Sequence, residues 1–385
     1  MNTHAKPTFS PAQIRTQTLA ILRGWGMEGD DAEATADALL DCDLRGIDTH
    51  GISLLALYAG WIAGGGFNLA ARAELLREGP NTALFDAHGG LGFAVSVRAA
   101  ELAADKARER GVAVVTVRNS HHFGAAGYYA RIAARRGVVS LVATSTKVVC
   151  VVPPGASEPV LGTNPLAYGV PRASGEPIVF DMATSTAAGN KVRLHQLTGT
   201  PVPEGWVVDG HGQPVTDPEA ASNLVYNRGQ GGLTPLGATP VLGAHKGYGL
   251  ALLVHFLGGT LAGGRFAGSR NPDHPQGEGD NIGHFFMAID PAAFRDMGDF
   301  LGDVADVESS LRATPTADPT RPVLLPGDIE EGILRERTAN GVPLAPNLVT
   351  RLRDIASDLG VPFVLDGTTA SAAAALSENR KPVED

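Results

Sequence analysis

Apolar residues recur at helical spacing along the N-terminal segment and then give way to short β-like runs. Ile14, Leu19, Ile21 and Leu22 follow Ser10, Pro11 and Gln13. A serine cap, a first-turn proline and a glutamine reaching back predict a helix start there. Gly24 and Gly26 predict its end. A second helix is expected from Asp30 to about Leu44, with Leu39 and Leu40 on its inner face. Ser53 is placed to cap a third, in which Leu54, Leu57, Tyr58 and Trp61 share one face.

The middle of the chain alternates. "TALFDAHGG" predicts a strand and turn, residues 94–110 a helix, and "GVAVVTVRNS" a buried strand. Residues 125–136 predict another helix, and "GVVSLVATST" and "EPIVFDMATS" two more strands. Strands alternating with helices indicate an α/β fold. Residues 195–240 are rich in Gly, Pro, Asn and Asp and read as loop. Tyr248 to Ala262 is apolar but short, glycine-broken and interrupted by His255, so it predicts a buried helix and not a membrane span. A glycine- and proline-rich excursion follows to about Asp280, then the strand "NIGHFFMAIDP" and helices near 294–313, 328–338 and 345–359. The expected organisation is a helical segment, 1–75, packing with C-terminal helices, 301–365, around a central α/β region, 76–300. Residues 366–385 are low in bulky apolar side chains and are expected to be disordered.

Composition narrows the function. Of 385 residues, 43% are hydrophobic and 19% charged, enough for a substantial core. A net charge of −10, with no run of four basic residues, argues against nucleic acid as a partner. Cys42 and Cys150 form no CxxC, which disfavours thiolate zinc sites and disulfide frameworks and suits a reducing compartment. "MNTHAKPTFS" has no basic region followed by an apolar core, so no secretory signal and a cytoplasmic location are expected.

Several short segments carry candidate chemistry. Gly90-x-Gly92 follows a strand, as in a Rossmann fingerprint. The third glycine position, however, is Val95, and the next strand ends in Arg118 and Asn119 without an acid for a ribose hydroxyl. An ordinary glycine turn is the better reading. Thr49 and His50 precede the third helix, where a helix N-terminus favours neutral imidazole and welcomes an anion. The plain alternative is a capping turn. His121 and His122 end a strand in front of Gly124, Ala125 and Ala126, suiting close approach by a ligand. Packing or a metal pair are the alternatives. His50, His245, His274 and His284 are possible further ligands, but no HExxH or HxH spacing exists and no metal is expected. Lys246, flanked by Gly247 and Gly249 at a helix start, is suited to hold a phosphate, or is a surface lysine. "VFDMATS" with "GNKV", and "LLPGDIEEG", are weaker candidates.

Together, "RGIDTHGIS", "RNSHHFGAAGYYA", "LGTNPLAYGVP", "FDMATS" with "GNKV", "GWVVDGHGQPVTDP", "HKGYGLALL" and "NIGHFFMAIDP" resemble the type 2 malate/L-lactate dehydrogenase family over roughly residues 10–360. That family includes ureidoglycolate, sulfolactate and diketogulonate oxidoreductases and the piperideine- and pyrroline-2-carboxylate reductases. The resemblance implies an α/β fold that binds nicotinamide without a Rossmann site, NAD or NADP as cofactor, a small-molecule substrate and a homodimer. It implies acid/base roles for His122 or for His50 with Thr49, and substrate contacts at Tyr58, Thr163 and Lys191. It implies cofactor contacts at His121, His122, Phe123, Gly124, Ala125, Thr146, Asp181, Met182, Ala183, Lys246, Pro326 and Gly327. Lysine at 191, where imine reductases carry an acid, points to the hydroxy-acid branch. One departure stands out: Leu54 replaces the arginine that pairs with the substrate carboxylate. Arg45, Arg172 and Lys191 are candidate substitutes, unless the substrate lacks that carboxylate. The expected activity is hydride transfer to or from a 2-oxo/2-hydroxy acid or a related ketone or alcohol. The alternatives are cyclic imine reduction and a cofactor-binding homologue with an atypical substrate.

Overall fold

The computed structural model describes residues 6–65, 68–227, 229–269 and 280–366. The chain divides after Gly64 and after Asp328 into two compact units, one built from both chain ends and one from the middle. In chain order the elements are β1 (Thr8–Phe9), α1 (Pro11–Gly24), α2 (Gly29–Leu44), α3 (Leu54–Ala63), β2 (Glu74–Glu78), β3 (Thr82–Asp86), α4 (Gly92–Arg110), β4 (Val112–Ser120), α5 (Ala126–Arg135), β5 (Val139–Thr144), β6 (Leu166–Val170) and β7 (Ile178–Met182). They continue with α6 (Gly189–Thr198), β8 (Val207–Asp209), α7 (Pro218–Tyr226), β9 (Gly231–Leu233), α8 (Ala244–His255), β10 (Ile282–Ile289), α9 (Met297–Arg312), α10 (Asp328–Asn340), β11 (Val342–Pro343) and α11 (Pro346–Asp358).

In the unit made of the chain ends, α1 opens with the expected reciprocal cap. Ser10 Oγ accepts the Gln13 N–H at 3.2 Å, and Gln13 Oε1 accepts the Ser10 N–H at 3.0 Å. Buried Gln17 ties α1 to the segment after α11, accepting the Val364 N–H at 2.7 Å and donating to Pro362 O at 3.2 Å. Helix α2 ends on Gly46 in the left-handed region, φ 77°. The Ile47 N–H reaches Cys42 O at 2.9 Å and the Gly46 N–H reaches Asp43 O at 3.3 Å, a Schellman stop. Ser53 flanks α3 but does not cap it; its hydroxyl donates to Asp48 O at 2.5 Å instead.

In the middle unit, seven of the described strands form one sheet in the order β2-β3-β4-β10-β5-β6-β7. β3 and β4 pair in parallel, and every other neighbouring pair is antiparallel. The late strand β10 lies between β4 and β5, filling the place where a doubly wound sheet would keep parallel neighbours. Its side chains alternate between two cores. Phe286 and Ala288 pack with α4 and α5 residues such as Ala103 and Tyr129, whereas Phe285 packs with Val254 of α8. A central strand covered on both faces is buried along nearly its whole length, as β10 is.

Two expectations need correction. Residues 195–240 are not loop throughout: α6 runs into them, and β8, α7 and β9 lie within. Asp217 Oδ1 accepts the Ala220 N–H at 2.8 Å to cap α7, and Val192, Val202, Val207, Val225 and Leu233 close a separate core. Short elements between glycines and prolines gain their stability from that core, which local composition does not report. The apolar stretch after Lys246 is helical but only half-buried; Leu253, Phe256 and Leu261 are exposed. No described helix is long and apolar enough to cross a membrane. Most of the excursion before Asp280 and the expected disordered tail lie outside the described residues.

Candidate active site

The β4 strand delivers the paired histidines to one end of the sheet. His121 is buried, and His122 is half-buried beside it. The His122 N–H donates to His121 Nδ1 at 2.8 Å, so that nitrogen carries no proton. The proton therefore sits on His121 Nε2, which meets Asp280 Oδ2 at 2.7 Å. Lys147 Nζ reaches the same oxygen at 2.8 Å. Burial opposes ionisation of Asp280, but the close approach of His121 and Lys147 to its carboxyl outweighs it and holds that group well below the usual range. The adjacent histidines thus divide their work: His121 is braced in one tautomer, and His122 is carried by that brace. The Gly124 N–H lies 3.4 Å from His122 Nδ1 and leaves the proton of the neutral ring on Nε2.

This segment is packed tightly from beneath. His284 on β10 stacks on Phe123 with centroids 4.5 Å apart, and its ring nitrogens bond Thr144 Oγ1 at 2.6 Å and Ser120 Oγ at 2.9 Å. Desolvation pushes its pKa down to about 3, so it is a neutral packing imidazole with both nitrogens engaged. A Cβ on Gly92 would lie 2.7 Å from His284 Nε2 and from Phe123 Cβ, and the Gly92 N–H is spent on His122 O at 2.9 Å. The glycine turn that imitates a Rossmann fingerprint is a close-packing device for the histidine segment. Gly124, at φ 78°, meets the Phe93 ring in the same way.

The other expected cofactor residues fall in two connected groups of the same unit. Asp181, next to last in β7, accepts the Gly127 N–H at 2.7 Å and so places a carboxylate at the N-terminus of α5. Gly327, at φ 97° after Pro326, lies against Val179 of the same strand. Met182 and Ala183 lead to Thr184, which bonds Thr163 O through its N–H at 2.8 Å and its hydroxyl at 3.1 Å. Thr184 O accepts the Leu236 N–H at 2.9 Å, and Leu236 packs against Gly247, next to Lys246. Thr146 Oγ1 bonds Asn164 Oδ1 at 3.2 Å, and Asn164 Nδ2 donates to Ala251 O of α8 at 2.9 Å. Lys246 is exposed on the first turn of α8, whose N-cap Gly243 supplies no side-chain cap.

The unit of the chain ends holds the remaining residues. Thr49 Oγ1 and His50 Nδ1 are 2.8 Å apart. His50 keeps some surface open, yet its ring sits among groups that desolvate it and push its pKa down to about 4. Tyr58 is fully buried beside Trp61, and desolvation raises its hydroxyl pKa. Leu54 is buried as an ordinary core residue. Of the three cations considered in its place, Arg45 is buried and bonded to Asp41 at 3.0 Å, and Arg172 lies 3.5 Å from Glu308. Lys191 is exposed on the first turn of α6. Sequence reasoning passed over Asp280, Lys147 and Asp43. Asp280 ends a glycine-rich stretch with no periodicity to mark it, and Asp43 is masked by the acidic pattern of α2.

The sequence profile described as malate/L-lactate dehydrogenase matches residues 9–353. The chain belongs to the malate/L-lactate dehydrogenase family. It is 36% identical over 342 residues to malate dehydrogenase of Pyrococcus abyssi, covering 89% of this chain and 92% of that one. It is 34% identical over 346 residues to (2R)-3-sulfolactate dehydrogenase (NADP(+)) of Chromohalobacter salexigens, covering 90% and 97%. The crystal structure of malate dehydrogenase from Entamoeba histolytica superposes with a TM-score of 0.87 at 31% identity, covering 93% and 99%. Membership of this family makes the chain a dehydrogenase, and the α/β fold expected from the resemblance is the one observed.

Proposed function

We propose that this dehydrogenase reduces and re-forms the carbonyl of a small 2-oxo/2-hydroxy acid or related ketone/alcohol, with His122 as proton donor and acceptor. The cofactor is NAD or NADP. When bound, nicotinamide supplies the hydride for the carbonyl carbon, or takes it back from the alcohol. The proton for the carbonyl oxygen is assigned to His122 Nε2, since Nδ1 faces the Gly124 N–H. His121, with one nitrogen on a backbone N–H and the other on Asp280, holds the segment in place. His50, with a pKa near 4, is neutral at pH 7. It is the second acid/base candidate, and with Thr49 it is suited to accept a proton from an alcohol. The observation that supports His122 above it is the braced histidine pair at the end of β4.

The residues suit a dinucleotide. The α5 N-terminus is already occupied by the Asp181 carboxylate, whereas α8 begins without a side-chain cap and with Lys246 on its first turn. A pyrophosphate is assigned to that α8 end. Residues 121–125, Thr146, Asp181–Ala183 and Pro326–Gly327 are assigned to the rest of the cofactor, and Tyr58, Thr163 and Lys191 to the substrate. Lys191 stands at a helix start with no side-chain cap, which suits a carboxylate now that Leu54 offers no charge. We also read the enzyme as a cytoplasmic homodimer. Exposed Phe294, Val307 and Leu311 at and along α9 are apolar surface that a second copy would cover. Sedimentation should then give twice the chain mass.

A panel of 2-oxo acids, ketones and cyclic imines, read at the reduced nicotinamide absorbance with NADH and NADPH, tests the function. Oxidation of one cofactor by a 2-oxo acid is expected. Tight binding of reduced cofactor without oxidation by any substrate would contradict it.

A further inference from the structure

Asp43 is a buried carboxyl that the chemistry above does not use. It sits in the last turn of α2 and is 1% exposed. Its Oδ2 accepts the Ile52 N–H at 2.7 Å, and a Cβ on Gly51 would fall 1.8 Å from its Oδ1. The backbone just after His50 is therefore pressed onto this carboxyl, and only glycine lets it approach. Arg337 of α10 grips the other end of the same turn. Its Nη1 donates to Asp43 O at 2.5 Å and also bonds the Asp48 carboxylate, with Nη2 adding a second contact at 3.3 Å. The five residues from Asp48 to Ile52 are thus tied at both ends, with Thr49 and His50 between the ties.

We propose that Asp43 is a positioning residue: with Arg337 it holds the Asp48–Ile52 turn so that the Thr49 hydroxyl stays on His50 Nδ1 and the imidazole stays desolvated. The proposal rests on the reading of Thr49–His50 as an acid/base pair only for its effect on turnover. The carboxyl acts through shape and one accepted N–H, not through charge. Asparagine should therefore replace it and alanine should not. A turn free to move by an ångström costs roughly 10²-fold in rate when it carries a reacting group.

The test uses the full-length protein with labelled histidine, so that each imidazole titration is read by NMR and His50 is assigned by the loss of its signal in His50→Asn. In the wild type, His50 should titrate near 4. In Asp43→Ala it should move up toward the ordinary value of 6.5, and in Asp43→Asn it should stay low. If His50 rather than His122 carries the proton, Asp43→Ala should also lower kcat roughly 10²-fold on the best substrate of the panel with little change in KM, while Asp43→Asn stays within about threefold. A His50 titration unmoved in Asp43→Ala, or equally displaced in Asp43→Asn, would overturn the proposal. If Asp43→Ala does not fold, Arg337→Met releases the Asp48 end, and an unmoved titration there would overturn it as well. Normal turnover in His50→Asn would remove the acid/base reading of His50, while the titration arm still decides the role of Asp43.

Discussion

Asp43 and Asp280 each stand behind a histidine-bearing turn, in different units of the molecule, and their acidities are pushed in opposite directions. Asp280 receives His121 Nε2 and Lys147 Nζ, which overcome desolvation and keep it ionised. Asp43 is pushed up to about 7 by desolvation: the Ile52 N–H lowers it, nearby Asp48 raises it, and the Arg337 charge only partly compensates. Arg337 binds the backbone oxygen of Asp43, leaving its charge for Asp48. The number of full donors, more than depth of burial, decides whether a carboxyl behind a site is charged. The His121 brace is consequently electrostatic, and the His50 brace is steric.

Removing each brace should separate the two. Asp280→Ala strands two groups that shared its carboxylate. Because Lys147 is partly exposed, the expected loss is about 2–4 kcal/mol, read as a shift in urea midpoint. Asp43→Asn should cost far less near neutral pH; an equal loss would erase the distinction. Gly51→Ala drives a methyl into Asp43 and should cost about 1–3 kcal/mol. A thermal midpoint like that of the wild type would show the contact to be loose.

The pH dependence is the smaller and sharper test. Between 3.8 and about 7 the folded chain keeps a proton on Asp43 that the unfolded chain has released. Its contribution is therefore full below 3.8 and lost as pH rises through 7. His50 and His284, pushed down to about 4 and about 3, act the other way and weaken the fold as pH falls below 6.5. Those histidine contributions cancel between wild type and Asp43→Asn. The stability of Asp43→Asn relative to wild type should thus rise from about pH 5 to about pH 8 by on the order of 2–3 kcal/mol. A constant difference would mean Asp43 is ionised throughout.

Much of the fold was legible because its signals are local. The Ser10–Gln13 cap, the stop at Gly24 and Gly26 and the alternation of β4, α5 and β5 are written in neighbouring residues. The insertion of β10 between β4 and β5 is not, since it joins positions such as His284 and Thr144 that are far apart in sequence. The elements between 195 and 240 were hidden by turn-forming composition. At the site, the histidines announced themselves by type and spacing. Their supports did not: Asp280 and Asp43 are ordinary acids until the fold sets one against His121 and the other against Gly51. Gly92 was legible as a turn, but its purpose, close contact with Phe123 and His284, exists only in three dimensions.

His122→Asn puts the central assignment to its most direct trial. Steady-state turnover on the best substrate and the dissociation constant for reduced cofactor would be measured side by side, with His50→Asn as the companion variant. Turnover should fall roughly 10²–10⁴-fold in His122→Asn with cofactor affinity largely kept. Turnover within about threefold of wild type would contradict the account.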